Sequence, residues 1–174
     1  MFDRENEDSP LMNKKVCMVG SSAVGKTSLV ARFVKSIFTE KYLTTVGVKI
    51  DKKMVTVADR EIGVVLWDLN GDDEFQKLQM TYLRGAAGYF LVADGCRQPT
   101  LETALDLQQR VSSTIGNVPF VLAINKADLR AEWEIDPVAV SALAARGWRI
   151  SDTSAKTGQG VEEAFQLLAS LMLR

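Results

Sequence analysis

Residues Gly20-Ser21-Ser22-Ala23-Val24-Gly25-Lys26-Thr27 set two glycines, an ammonium and a hydroxyl at fixed spacing. Groups of that kind in that order can hold a phosphate chain. Gly20 and Gly25 permit backbone conformations that a side chain forbids, so successive N–H groups turn inward toward an anion. The motif requires a strand before it and a helix after it. Val16-Cys17-Met18-Val19 supplies an apolar run ahead, and Leu29, Val30, Phe33, Val34 and Ile37 follow at helical spacing, with Ser28 in the first turn. The helix contributes the positive end of its dipole. Lys26 then reaches the outer phosphates, and the Thr27 hydroxyl is a ligand for Mg2+. Taken alone, this loop suits ATP as well as GTP.

The elements that position it alternate along the chain. Strands are expected over Lys15–Gly20, Val46–Val57, Ile62–Leu69, Gly88–Asp94, Pro119–Asn125 and Trp148–Asp152, with a hairpin turn at Ala58-Asp59-Arg60. Helices are expected over Lys26–Ser36, Asp73–Arg84, Thr100–Ile115, Pro137–Ala145 and Val161–Leu173. The last carries Val161, Ala164, Phe165, Leu168 and Met172 on one stripe, as a helix packed on a sheet does. Short, nearly all-apolar strands such as Phe120-Val121-Leu122-Ala123-Ile124 are buried on both faces. Together these predict a doubly wound α/β fold: a mostly parallel six-stranded sheet, one antiparallel edge strand, helices on both faces. Ligands of such sheets bind at the carboxyl ends of the strands, where every chemically suggestive segment of this chain falls.

Composition narrows the classes. The 174 residues fit one domain, residues 14–174, preceded by an acidic flexible tail over 1–13. Twenty-one basic against 22 acidic residues give a net charge of −1, which offers no footprint for nucleic acid. The absence of histidine excludes histidine-based catalysis. Cys17 and Cys96 read as buried small apolar residues in a reducing, cytoplasmic setting. No apolar stretch reaches the length of a membrane span. The sequence closes at Leu171-Met172-Leu173-Arg174 without a prenylation cysteine, so either a soluble-phase role or a missing tail or neighbouring domain is expected.

Two further motifs choose the base. Asn125-Lys126-Ala127-Asp128 follows the fifth expected strand, and Thr153-Ser154-Ala155-Lys156 follows the sixth. With the phosphate loop, in this order, they resemble the Ras-like small GTPases, nearest to the Rab pattern, over Lys14 to Arg174. The resemblance implies that Asp128 accepts two hydrogen bonds from guanine, at the ring N–H and the exocyclic amino group. Adenine lacks that donor pair and would leave a buried carboxylate unpaired. It further implies that the Lys126 stem covers the ring, that Asn125 ties loops together, and that the Ala155 N–H meets the guanine carbonyl, with Ser154 and Lys156 beside it. Phe38 stands where the family places an aromatic against the base, or it is a core residue at a helix end.

The switch segments complete the resemblance. Tyr42 and Thr45, in Tyr42-Leu43-Thr44-Thr45-Val46-Gly47-Val48, match the first switch, where Thr45 closes on Mg2+ and the γ-phosphate. Trp67-Asp68-Leu69-Asn70-Gly71 matches the second, with Asp68 toward Mg2+ and the Gly71 N–H toward the γ-phosphate. Losing that phosphate releases both loops. Catalysis falls to Lys26, Thr45, Gly71 and the residue after Gly71. Here the chain departs from the family, placing Asp72 where a glutamine usually orients the attacking water. Aspartate is shorter and charged, and like charges about 4 Å apart repel by roughly 4 kcal/mol at a moderate dielectric. Asp72 and Asp73 also fit as favourable acids at a helix N-terminus. The expected function is a monomeric GTP/GDP switch with slow intrinsic hydrolysis, served by effectors and by activating and exchange factors. The competing expectation is a nucleotide-bound scaffold, or a G domain of a longer protein, with little turnover.

Overall fold

A computed structural model describes residues 12–40, 47–69 and 80–174. Its strands are β1 (Met12–Gly20), β2 (Val48–Val57), β3 (Arg60–Leu69), β4 (Gly88–Asp94), β5 (Phe120–Asn125) and β6 (Ile150–Asp152). Its helices are α1 (Lys26–Lys35), α2 (Gln98–Ile115), α3 (Pro137–Ala145) and α4 (Val161–Met172), with a short 3-10 segment at Ala127–Glu132. A further helical stretch covers residues 80–82, the described end of the helix expected from Asp73. The strands form one six-stranded sheet in the order β2-β3-β1-β4-β5-β6. Among the described residues only the β2–β3 pair is antiparallel; β3-β1-β4-β5-β6 run parallel. The predicted fold class holds.

Side-chain alternation along each strand divides the interior into two cores. Val16 and Met18 of β1, Phe90 and Val92 of β4, and Val121 and Ala123 of β5 face α1 and α4. Cys17 and Val19, Leu91 and Ala93, Leu122 and Ile124 face α2 and α3. Both faces of the central strands are therefore apolar, which is why their sequences read as unbroken hydrophobic runs. On the first face Phe33 of α1 stacks on Phe165 of α4 with ring centroids 3.9 Å apart. The β2–β3 hairpin turns on Ala58 and Asp59, both left-handed (φ 48° and 62°), a twist matched to that of the paired strands. Asp136 starts α3 by accepting the Val138 N–H at 2.9 Å, with Pro137 at the first helical position.

The boundaries differ from expectation in physically legible places. β1 begins at Met12, because Met12 and Asn13 pair with Ile62 and Gly63, so these two leave the tail assigned to residues 1–13. β5 begins after Pro119, which has no N–H to give the ladder. Trp148 lies before β6 because its N–H closes α3 onto the Leu143 carbonyl. Of the two cysteines expected to be buried, Cys17 is, and burial pushes its thiol up to about 12. Cys96 is only half-buried, since it sits in the loop after β4 with its N–H on Asp94 Oδ1. Among the described residues no helix is long and apolar enough to cross a membrane.

Candidate functional site

The phosphate-type loop joins the end of β1 to the start of α1. Gly25 is the residue before the helix and holds φ at 102°, a conformation suited to glycine. A Cβ there would also run into Asn125 Nδ2. The first turn of α1 carries no acid, which leaves its positive end open to an anion. Lys26 is 7% exposed, and its ammonium arches back to the carbonyls of Gly20 and Ser21 at 2.8 and 2.7 Å. Ser22 and Ser28 are half-buried, Val24 is buried and Ala23 is exposed. The Lys26 ammonium and the positive end of α1 together gather positive charge at one spot. That spot lies at the carboxyl end of β1, in the middle of the sheet.

Beside it, the Thr27 hydroxyl lies 2.5 Å from Asp68 Oδ2 at the end of β3. Asp68 is buried, and its strand runs parallel to β1 with Met18 opposite. The first turn of α1 and the end of β3 thus bring a hydroxyl and a carboxylate together from residues 41 apart in sequence.

The base-type motifs converge from the ends of β5 and β6. Asn125 is the joint: its amide nitrogen donates to the Val24 carbonyl at 3.0 Å, inside the phosphate-type loop. Its oxygen accepts from Thr153 Oγ1 at 3.2 Å and from the Ala155 N–H at 3.3 Å. Ser154, fully buried, donates to Asp128 Oδ1 at 2.7 Å and fixes that carboxylate. Lys126 holds a left-handed backbone (φ 71°). The Lys156 ammonium turns outward to Glu40 at 3.2 Å, so this residue serves the loop through its backbone. Phe38 is half-buried and packs against the first core. Tyr42, Thr45, Gly71 and Asp72 lie outside the described residues.

Sequence reasoning missed four supporting residues. Arg32 on α1 donates to the carbonyls of Ala155 and Lys156 at 2.7 and 2.5 Å, pinning the loop after β6. Trp133 donates its indole N–H to the Lys126 carbonyl at 2.8 Å and packs so closely on Gly95 that no Cβ would fit there. Asp94, at the end of β4, takes the Lys126 ammonium at 2.7 Å and Arg97 Nε at 2.9 Å. Burial works to raise the Asp94 carboxyl, but the bonds from Lys126, Arg97 and the Cys96 N–H outweigh it and hold it below its ordinary value. Asp94 carried a sequence signal, an acid closing an otherwise apolar strand. Arg32 carried none, since its partners lie 123 and 124 residues away.

Comparison with known proteins is consistent with this geometry. The model of the Ras family matches residues 15–174. The "Ras-related protein Rab-13" of Canis lupus familiaris is 32% identical over 157 residues, covering 89% of this chain and 77% of that protein. The "Ras-related protein Rab-4" of Dictyostelium discoideum is 32% identical over 158 residues, covering 90% and 77%. The "GTP-binding protein yptV2" of Volvox carteri is 33% identical over 162 residues, covering 91% and 75%.

Proposed function

The chain belongs to the Ras family of small GTPases, and from that premise we propose a Mg2+-dependent GTP/GDP switch whose intrinsic hydrolysis is slow. Family membership carries GTP binding and GTPase activity in general; the residue assignments and the rate are our reading. What supports it most is Asn125, whose one amide joins the phosphate-type loop at Val24 to the base-type loop at Thr153 and Ala155. A ligand with a phosphate chain at one end and a base at the other fits a site so joined.

In this reading the backbone N–H groups of residues 20–27 and the Lys26 ammonium take the phosphates. Asp128, oriented by Ser154, accepts from the guanine ring N–H and amino group. The Lys126 stem lies over the base, the Ala155 N–H turns from Asn125 to the guanine carbonyl, and Phe38 borders the far side. Thr27 and Asp68 fit Mg2+: a hydroxyl and a carboxylate are hard oxygen donors, here already 2.5 Å apart. Bound Mg2+ neutralises charge on the outer phosphates. Thr45 and Gly71 sense the third phosphate, and Asp72 replaces the water-orienting amide with a repelling charge.

Effector binding is assigned to residues 45–48, Trp67 and the second switch. Ile50, 53% exposed, lies across from Trp67 in the β2–β3 register, and Tyr82 packs 6.1 Å from the indole. Activating and exchange factors act on the same face of a cytoplasmic monomer. Single-turnover GTP hydrolysis by the native protein and by Asp72→Gln tests the slow rate. Faster hydrolysis by the glutamine variant is expected; equal rates sink the idea. Asp72 also favours a second reading, a scaffold or a G domain of a longer protein with little turnover. No turnover under any condition, cell extract included, favours the scaffold, whereas stimulation by extract favours the switch.

A further inference from the structure

One guanidinium touches two parts of the site, and a third through its carboxylate partner, without belonging to any of its motifs. Arg97, just after β4, donates through Nε to Asp94 Oδ2 at 2.9 Å and through Nη2 to the Ser22 carbonyl at 3.2 Å. Ser22 lies 75 residues earlier, inside the phosphate loop. The same Asp94 oxygen takes the Lys126 ammonium at 2.7 Å, from the base motif. Asp94 is 1% exposed, whereas Arg97 is 44% exposed at the rim. A chain of contacts therefore runs Ser22–Arg97–Asp94–Lys126, from the phosphate loop to the base loop. The planar fork of arginine permits two such bonds in fixed directions; a lysine offers one point of charge.

We propose that Arg97 is a positioning residue that latches the phosphate loop to the base loop and thereby sets the rate at which bound guanine nucleotide leaves. The inference rests on the guanine-nucleotide reading of the site. For a ligand held at both ends to leave, the two loops must separate. The Asn125–Val24 bond resists from the buried interior. The Arg97 bridge resists at the rim, where water competes for each of its bonds and opening is easier. Because Arg97 holds a loop carbonyl, its loss speeds release of GDP and GTP by the same factor. Lys126 also keeps its backbone anchor to Trp133, so base choice is unaffected.

Release of fluorescent GDP and GTP analogues from the native protein, Arg97→Gln, Arg97→Lys and Asp94→Asn tests this. Arg97→Gln is expected to release both nucleotides about fivefold faster, a modest factor because the side chain is partly screened by solvent. Arg97→Lys recovers part of that factor by keeping the bond to Asp94. The Arg97→Gln effect shrinks in an Asp94→Asn background, a coupling that general destabilisation does not produce. The guanine-over-adenine preference stays at its native value. Native release rates in Arg97→Gln overturn the latch and leave the nucleotide site standing. Unequal acceleration of GDP and GTP also overturns it, by assigning Arg97 to the third phosphate. A native protein that retains neither nucleotide overturns the site reading, and the latch with it.

Discussion

On the phosphate side of the site, a few consecutive residues hold one another. Lys26 returns to carbonyls only six and five residues back, and Gly25 takes the dihedral that lets α1 begin. On the base side, each group is held from a distance. Asn125 reaches Val24 across 101 residues, Asp128 is fixed by Ser154 across 26, and Ala155 is pinned by Arg32 across 123. The conformation of the first half is thus set mainly by a short peptide between a strand and a helix, with Asn125 and Arg97 tying it to the rest at Val24 and Ser22. The second exists only once the whole sheet has formed. Backbone changes should therefore break the phosphate half, and single side-chain deletions should break the base half.

The two halves touch at Gly25 and Asn125, so a change there should damage both. Gly25→Ala forces a side chain into a left-handed backbone and against the Asn125 amide. Together these cost about 3–4 kcal/mol, enough to weaken nucleotide binding more than about hundredfold. Calorimetric titration with GDP, beside unfolding of the nucleotide-free protein, measures both. A change in stability under about 0.5 kcal/mol would show that the two halves are not mechanically joined there.

Asp128→Ala isolates the base half. It is expected to cost about 2–3 kcal/mol in GDP affinity, roughly 30- to 150-fold, while affinity for ATP changes little. Competition between GDP and ATP reads the difference directly. Equal losses for both nucleotides would move Asp128 from base choice to general folding. Arg32→Ala tests whether remote support matters as much as contact. Losing two bonds to the carbonyls of Ala155 and Lys156 should lower stability by about 1–1.5 kcal/mol, a fall of about 2–6 °C in the thermal midpoint. It should also weaken GDP more than inorganic triphosphate.

This contrast also explains what the sequence made legible. The loop at residues 20–27, the buried strands and the helix stripe at 161–172 all depend on neighbours within one or two turns, so local pattern revealed them. Asn125, Asp128 and Ala155 were legible through a resemblance, and their spatial meeting through strand order. Arg32, Arg97 and Trp133 looked like an ordinary helix-surface cation, a loop cation and a stray aromatic. Arg32 and Trp133 pair with carbonyls, which every residue possesses, and Arg97 joins the Asp94 carboxylate to a carbonyl 75 residues away, so side-chain type alone gave no clue to the pairing. Cys96 misled for a related reason: an apolar residue after a buried strand suggests continued burial, but the chain there had already turned to carry Asp94 and Arg97.

The smallest effect concerns Asp94, where the base half carries its shared charge. Its carboxyl sits below its ordinary value: burial works to raise it, and bonds from Lys126, Arg97 and the Cys96 N–H more than reverse that. The folded state therefore binds this proton less readily than the unfolded chain does. The stabilisation is complete above the unfolded carboxylate range, about pH 4–5, and fades as pH falls through the folded value. Urea unfolding of native protein and Asp94→Asn, from neutral to acid pH, should show a constant gap that narrows only at the acid end. The change is small because Lys126 and Arg97 are 35% and 44% exposed and solvent screens both cations. Parallel curves down to the acid end would mean that Asp94 acts through shape alone. The three-way charge contact would then add nothing to the support of the base half, leaving Asn125, Ser154 and Arg32 to carry it.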